Sequence, residues 1–141
     1  MKPVHLAIAL SCAAFIFICL FITRSLDGGQ SDLQAELEYI AEDTSEILPK
    51  MLDSGTRWDS IKAMDTSLVN SYTLIDTRKA DIDHAIFVRS MRASMIEKMC
   101  HREEMKFLSD NDVSVLYKYF DSEGENVAIL SFKSSDCSKA S

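Results

Sequence analysis

Residues 4–22, VHLAIALSCAAFIFICLFI, contain no Asp, Glu, Lys or Arg. As a helix this run rises about 28 Å at ~1.5 Å per residue, enough to cross a hydrocarbon core of roughly 30 Å. It predicts a single membrane-spanning segment and leaves the rest of the chain to fold outside the lipid. Lys2 precedes the run. Arg24 follows it, and an acid-rich stretch comes next with Asp32, Glu36, Glu38, Glu42, Asp43 and Glu46. The positive-inside rule weighs Lys and Arg, and the small difference places the N-terminus in the cytoplasm and the folded part outside. The apolar run is longer than a typical signal-peptide core, and no small-x-small cleavage site follows it, so an uncleaved signal anchor is the expectation. A cleaved signal peptide and a lipoprotein signal are the alternatives. For lipidation, "ALSC" at 9–12 has Ser11 before Cys12 but lacks Leu three positions before it, and "FICL" sets bulky Ile18 before Cys19.

The formal net charge is −7. The first 29 residues hold Lys2, Arg24 and Asp27, so the remainder carries −8. Phosphate backbones repel such a surface, which argues against a nucleic-acid partner. Apolar residues make up 47% and Pro and Gly are scarce, so the exported part has the composition of a folded domain. Three regions are expected: an anchor over 1–24, a linker with an amphipathic helix over 25–52, and an α+β domain over 53–141.

SLDGGQS at 25–31 forms a joint, and Ser31 with Gln34 makes a capping-box pattern. Leu33, Leu37, Ile40, Thr44 and Ile47 then recur at helical spacing up to Pro49, which disfavours helix at Leu48. Two readings of this stripe stand. It packs on the domain's own sheet, or it is a short coiled-coil seam over 33–48 that pairs two chains. TRWDSIKAM (56–64) and LVNSYTLI (68–75) predict two strands joined through Asp65-Thr66-Ser67, with Trp58 in the core or at a sheet edge. Asp81 is the expected N-cap of a helix running to Cys100, its apolar face built from Ile82, Ala85, Ile86, Val88, Met91, Met95 and Met99. A short helical turn over 102–109 follows. VSVLYKYF (113–120) and VAILSFK (127–133) flank DSEGEN and predict an antiparallel hairpin, with Gly124 where positive φ is often needed. The economical arrangement is a small antiparallel four-stranded sheet, β-β-α-β-β, packed with helices.

Cys100 and Cys137 are the cysteines of the exported part. Outside the cytoplasm they can form a disulfide across a loop of roughly 38 residues. Free thiols remain an alternative. Metal ligation with His101 or His84 lacks any CxxC or HExxH spacing. No phosphate loop, GxSxG elbow or cofactor fingerprint occurs, and no CxxC marks a thiol-redox enzyme. The expectation is therefore a non-enzymatic protein with no cofactor.

Several features together carry a resemblance: Leu48-Pro49 before the first strand pair, a helix ending in Met99-Cys100, and the run MKFLSDNDVSVLYKYFDSEGENVAILSF leading to Cys137. Residues 48–137 resemble the beta-type pilotins of bacterial type II secretion. The resemblance implies a disulfide between Cys100 and Cys137 and a helix-decorated antiparallel sheet. It implies a partner as well, a helical C-terminal segment of the secretin subunit, and a place in protein transport across the envelope. With the anchor, the expected location is the bacterial inner membrane, single-pass, with the C-terminal domain in the periplasm. A helix partner would lie in a groove between sheet and helix, for which Met91, Met95, Met99, Tyr117 and Tyr119 are the candidate lining residues. The second reading is an inner-membrane structural or regulatory subunit that forms a homodimer through 33–48.

Overall fold

In the computed structural model, residues 29–139 are described; the apolar run at 4–22 lies outside them, as do Cys12 and Cys19. Among the described residues, no helix is long and apolar enough to cross a membrane.

Helix α1 covers residues 29–45. Ser31 therefore stands inside the helix rather than at its cap. Leu37 and Ala41 supply the core: Leu37 is 0% exposed. Ile47 is exposed. Ala41 and Ser45 border a depression whose other wall is Ile61, Lys62 and Ala63. The stripe thus packs against the domain's own residues, and Leu37 has no free surface to offer a second chain.

Five strands follow: β1 (Lys50–Met51), β2 (Thr56–Met64), β3 (Ser67–Leu74), β4 (Ser114–Phe120) and β5 (Asn126–Phe132). Helix α2 (His84–His101) connects β3 to β4, and a short α3 (Lys106–Asp110) precedes β4. The strands lie in chain order as one sheet. Its β1–β2, β2–β3 and β4–β5 pairs are antiparallel, but β3 and β4 are parallel, with Tyr72 opposite Tyr119 and Asn70 opposite Tyr117. The expected four-stranded antiparallel sheet is thus a five-stranded mixed one. The reason is topological. A helix long enough to cross the sheet returns the chain to the end where β3 began, and the next strand must then run parallel. The added strand is only two residues long, too short for a period-two signal.

The β2–β3 turn is Asp65–Thr66, tightened by Asp65 at φ 52°, so Ser67 belongs to β3. Gly124 in the β4–β5 turn has φ 84°, a conformation that a side chain disfavours. The N-cap of α2 is Asp83, whose Oδ1 accepts from the Ile86 N–H at 3.0 Å. Asp81 instead closes a 3-10 turn, Lys79–Asp81, because Ile82 leaves the helical region there.

Alternation along β4 buries Val115, Tyr117 and Tyr119. Their partners on β5, Phe132, Leu130 and Ala128, are buried with them. Helix α2 rests on this face. Phe87 meets Tyr119 edge-on at 5.2 Å, and the Arg92 guanidinium lies 5.4 Å from the Phe132 ring centre. The inner face of α2 runs through Phe87, Met91, Met95 and Met99. Ala85 and Ile86, assigned inward from the sequence, face out, and Ile86 is 60% exposed. Cys100 and Cys137 are disulfide-bonded with a Cα–Cα distance of 5.7 Å, tying the end of α2 to the terminal 3-10 helix Ser134–Lys139.

Candidate functional site

Trp58, Tyr72, Tyr117 and Tyr119 form a connected aromatic floor across β2, β3 and β4. Tyr72 is its hub. It stacks on Trp58 at 6.0 Å, on Tyr117 at 6.0 Å and on Tyr119 at 5.2 Å. Register explains the cluster: Trp58 is opposite Tyr72 in the antiparallel pair, and Tyr72 is opposite Tyr119 in the parallel one. Trp58 is held by its Nε1–H, which donates to the Ser60 carbonyl at 3.2 Å.

Above this floor α2 stands off enough to leave a cleft of about 370 Å³. Phe87, Met91, Ser94, Met95 and Lys98 form the helix wall, Tyr72, Tyr117 and Tyr119 the floor, and Leu52, Asp53 and Thr56 the mouth. The side chains of the three tyrosines show aromatic contacts but no hydrogen bond to any described residue, and no fully buried polar side-chain atom lacks a partner. Their hydroxyls therefore keep some solvent access. Burial pushes the Tyr117 and Tyr119 phenols up to about 12, and Tyr72 higher still, where neighbouring Tyr117 and Tyr119 add to the effect of burial. All three remain neutral donors throughout the physiological range. The rim carries both signs, with Lys98 on the helix and Asp53 at the mouth. Asp53 is held below the usual carboxylate range chiefly by the Gly55 N–H at 2.8 Å.

Met91, Met95, Tyr117 and Tyr119, four of the five residues assigned from the sequence, meet in this cleft. Met99 does not. It is 4% exposed and lies one turn further on, beside the Cys100 end of the helix. Tyr72 and Phe87 were missed. Tyr72 sits in the LVNSYTLI strand, where Asn70 and Ser71 blur the alternation. Phe87 falls beside the stripe traced from Ile82 and Ala85. Its spacing of four from Met91, repeated to Met95, was the available signal.

Outside the cleft lining, Asp121 fixes the turn that follows β4. Its side chain is 1% exposed and accepts N–H groups from Lys79 at 2.8 Å, Glu123 at 2.9 Å and Glu125 at 2.8 Å. The carboxylate thus ties the β4–β5 turn to the segment that launches α2. The Lys79 N–H, opposed by burial and helped by Glu125, Glu123 and Gly124, holds its pKa below the ordinary value. A carboxylate depressed on folding adds stability that is complete above its unfolded pKa, about 3.9. That stability is lost as pH falls through the folded value. Asp121→Asn should lower the melting temperature at pH 7 by about 5 °C or more and flatten the acid limb of stability below pH 4. Thermal melts of both proteins from pH 2 to 7 check this.

Among the described residues no group of three His, Cys, Asp or Glu side chains is placed to hold a metal ion. No family model and no curated protein matches the sequence. Solved structures do. The pilotin EpsS of the Vibrio vulnificus type 2 secretion system superposes with a TM-score of 0.64 at 14% identity, over 77% of this chain and 94% of that one. The type II secretion system pilotin AspS of Vibrio cholerae gives 0.63 at 12%, over 80% and 99%. A Pseudomonas aeruginosa protein described as secreted gives 0.63 at 18%, over 77% and 95%. At these identities the likeness is one of architecture, carried over nearly the full length of each of the three: the chain has a pilotin-like fold.

Proposed function

We propose that this chain is a non-enzymatic envelope protein of the pilotin type, which captures an apolar helical segment of a secretion-system partner in the cleft between α2 and the sheet. The observation that carries this reading is the cleft itself. Three tyrosine rings and two methionines line the trough. Rigid aromatic rings provide contact area at low entropic cost, and methionine adapts to the partner's side chains. Lys98 and Asp53 at the rim provide charges that orient an amphipathic segment. A secretin C-terminal segment is the partner of this chemistry that the fold favours. The proposed location is the periplasmic side of the inner membrane, held by residues 4–22, with a lipid-anchored form as the alternative. An extracytoplasmic location accords with the Cys100–Cys137 disulfide.

Met91 is half-buried on the cleft wall, so Met91→Glu places a charge in the trough without opening the core. The expected result is at least a tenfold loss of affinity for a peptide spanning the secretin C-terminal segment, measured by titration calorimetry, with an unchanged melting temperature. Equal binding by Met91→Glu and the wild type would move the partner site off the cleft.

A further inference from the structure

Tyr72, Tyr117 and Tyr119 line the cleft and are only 7%, 8% and 4% exposed. Side chains buried to that extent ordinarily give a polar atom a protein partner. These three do not: no described residue hydrogen-bonds any of their phenol oxygens. Solvent is the partner left to them, and an occupant that fills the cleft removes that solvent. A face of leucine and valine alone would strand the phenols, and a buried donor without a partner costs more than an ordinary hydrogen bond contributes. The backbone carbonyls of a captured helix are already engaged within it. The acceptor therefore has to come from a side chain in the helix's apolar stripe.

The rest of the lining says which acceptor. Asp53, its acidic member, already receives the Gly55 and Thr56 N–H groups on Oδ1, each at 2.8 Å. Lys98, its basic member, makes no ion pair or hydrogen bond through Nζ with any described residue. The tyrosine rings cluster about Tyr72, with centroids 6.0 Å away at Tyr117 and 5.2 Å away at Tyr119, which keeps the three in one patch of floor. An amide would bring two donors of its own that also need partners. A carboxylate accepts only, and its two oxygens take several donors at once, through the stronger charge-assisted kind of bond. We infer that the cleft selects an amphipathic helix whose apolar stripe is interrupted by one glutamate or aspartate, the carboxylate taking phenol O–H groups of the floor with Lys98 as its counter-charge. This requirement rests on the cleft being the capture site, and it adds what the captured segment must carry.

The test is selection by the full chain, held in amphipol, from a displayed library of amphipathic helices about five turns long. Each apolar-face position is drawn from Leu, Ile, Gln and Glu. The baits are the wild type, Met91→Glu, and a triple variant with Tyr72→Phe, Tyr117→Phe and Tyr119→Phe, which keeps the rings and removes the hydroxyls. The wild type is expected to enrich helices with a single Glu in the apolar face. Replacing that Glu by Leu in the selected peptide should raise the dissociation constant at least tenfold, and replacing it by Gln should raise it less. Lys98→Met should cut the advantage of Glu over Gln. On the triple variant the Leu peptide should bind at least as well as the Glu peptide. That variant should also melt within a few degrees of the wild type, since the hydroxyls have no protein partner to lose; a larger fall would place them inside the fold and overturn the inference.

A wild type that prefers an uninterrupted Leu and Ile stripe overturns it too, because bridging water would then serve the phenols. So does a Glu preference that persists on the triple variant. In both cases the cleft remains the capture site if Met91→Glu abolishes binding. Helices that bind Met91→Glu as well as they bind the wild type, or no enrichment on the wild type at all, remove the capture site itself and the inference with it.

Discussion

Leu37→Asp is expected to unfold the domain rather than to separate two chains. Leu37 is 0% exposed, on a helix whose neighbouring inward residue, Ala41, is also buried. Truncating a leucine in such a place costs about 2–5 kcal/mol, and a carboxylate left without partners in the same space adds several more. A small domain has only about 5–15 kcal/mol in all. The variant should therefore lose its cooperative melt and its near-ultraviolet signal from Trp58, at every protein concentration. A coiled-coil seam would behave differently. It would leave a folded monomer whose melt no longer depends on concentration.

The second large effect is expected from Cys100 and Cys137. The bond closes a loop with a sequence separation of 37, for which the chain-entropy account gives about 3–4 kcal/mol. Replacing both cysteines with serine should lower the urea midpoint by roughly 2 M at the usual dependence for a domain of this size. Treating the wild type with a reductant should reproduce that shift, and adding reductant to the serine variant should change nothing further. A midpoint insensitive to reductant would mean that the helix end and the terminal 3-10 turn hold together without the bond.

Much of the fold was legible because alternation along a half-buried strand is a strong signal. TRWDSIKAM coincides with β2, and VSVLYKYF and VAILSFK lie within one residue of β4 and β5. The hairpin between the latter two was legible from Gly124 and its polar neighbours. Strand partnership was not, since neither alternation nor β-propensity in VSVLYKYF says which way β3 runs beside it. The helix was harder than the strands. Arg92 and Lys98 interrupt its inner face, one lying over Phe132 and the other standing on the cleft rim, so the apolar stripe in the sequence is broken where the helix is most engaged. For the cleft, the methionine spacing and the β4 tyrosines were readable from local pattern. Tyr72 was not, because its place depends on a register set with a strand more than forty residues away.

That long-range register has a consequence for when the protein becomes competent. Tyr72 leaves the floor incomplete until Tyr119 lies beside it, and Tyr119 arrives only after α2 has been made and laid across the sheet. Every wall of the trough depends on this one non-local closure, which local structure alone cannot mimic. A chain in which β3 and α2 have formed but β4 has not yet joined the sheet has no trough. The trough is thereby a property of the finished molecule alone, present only once the parallel strand pair has closed.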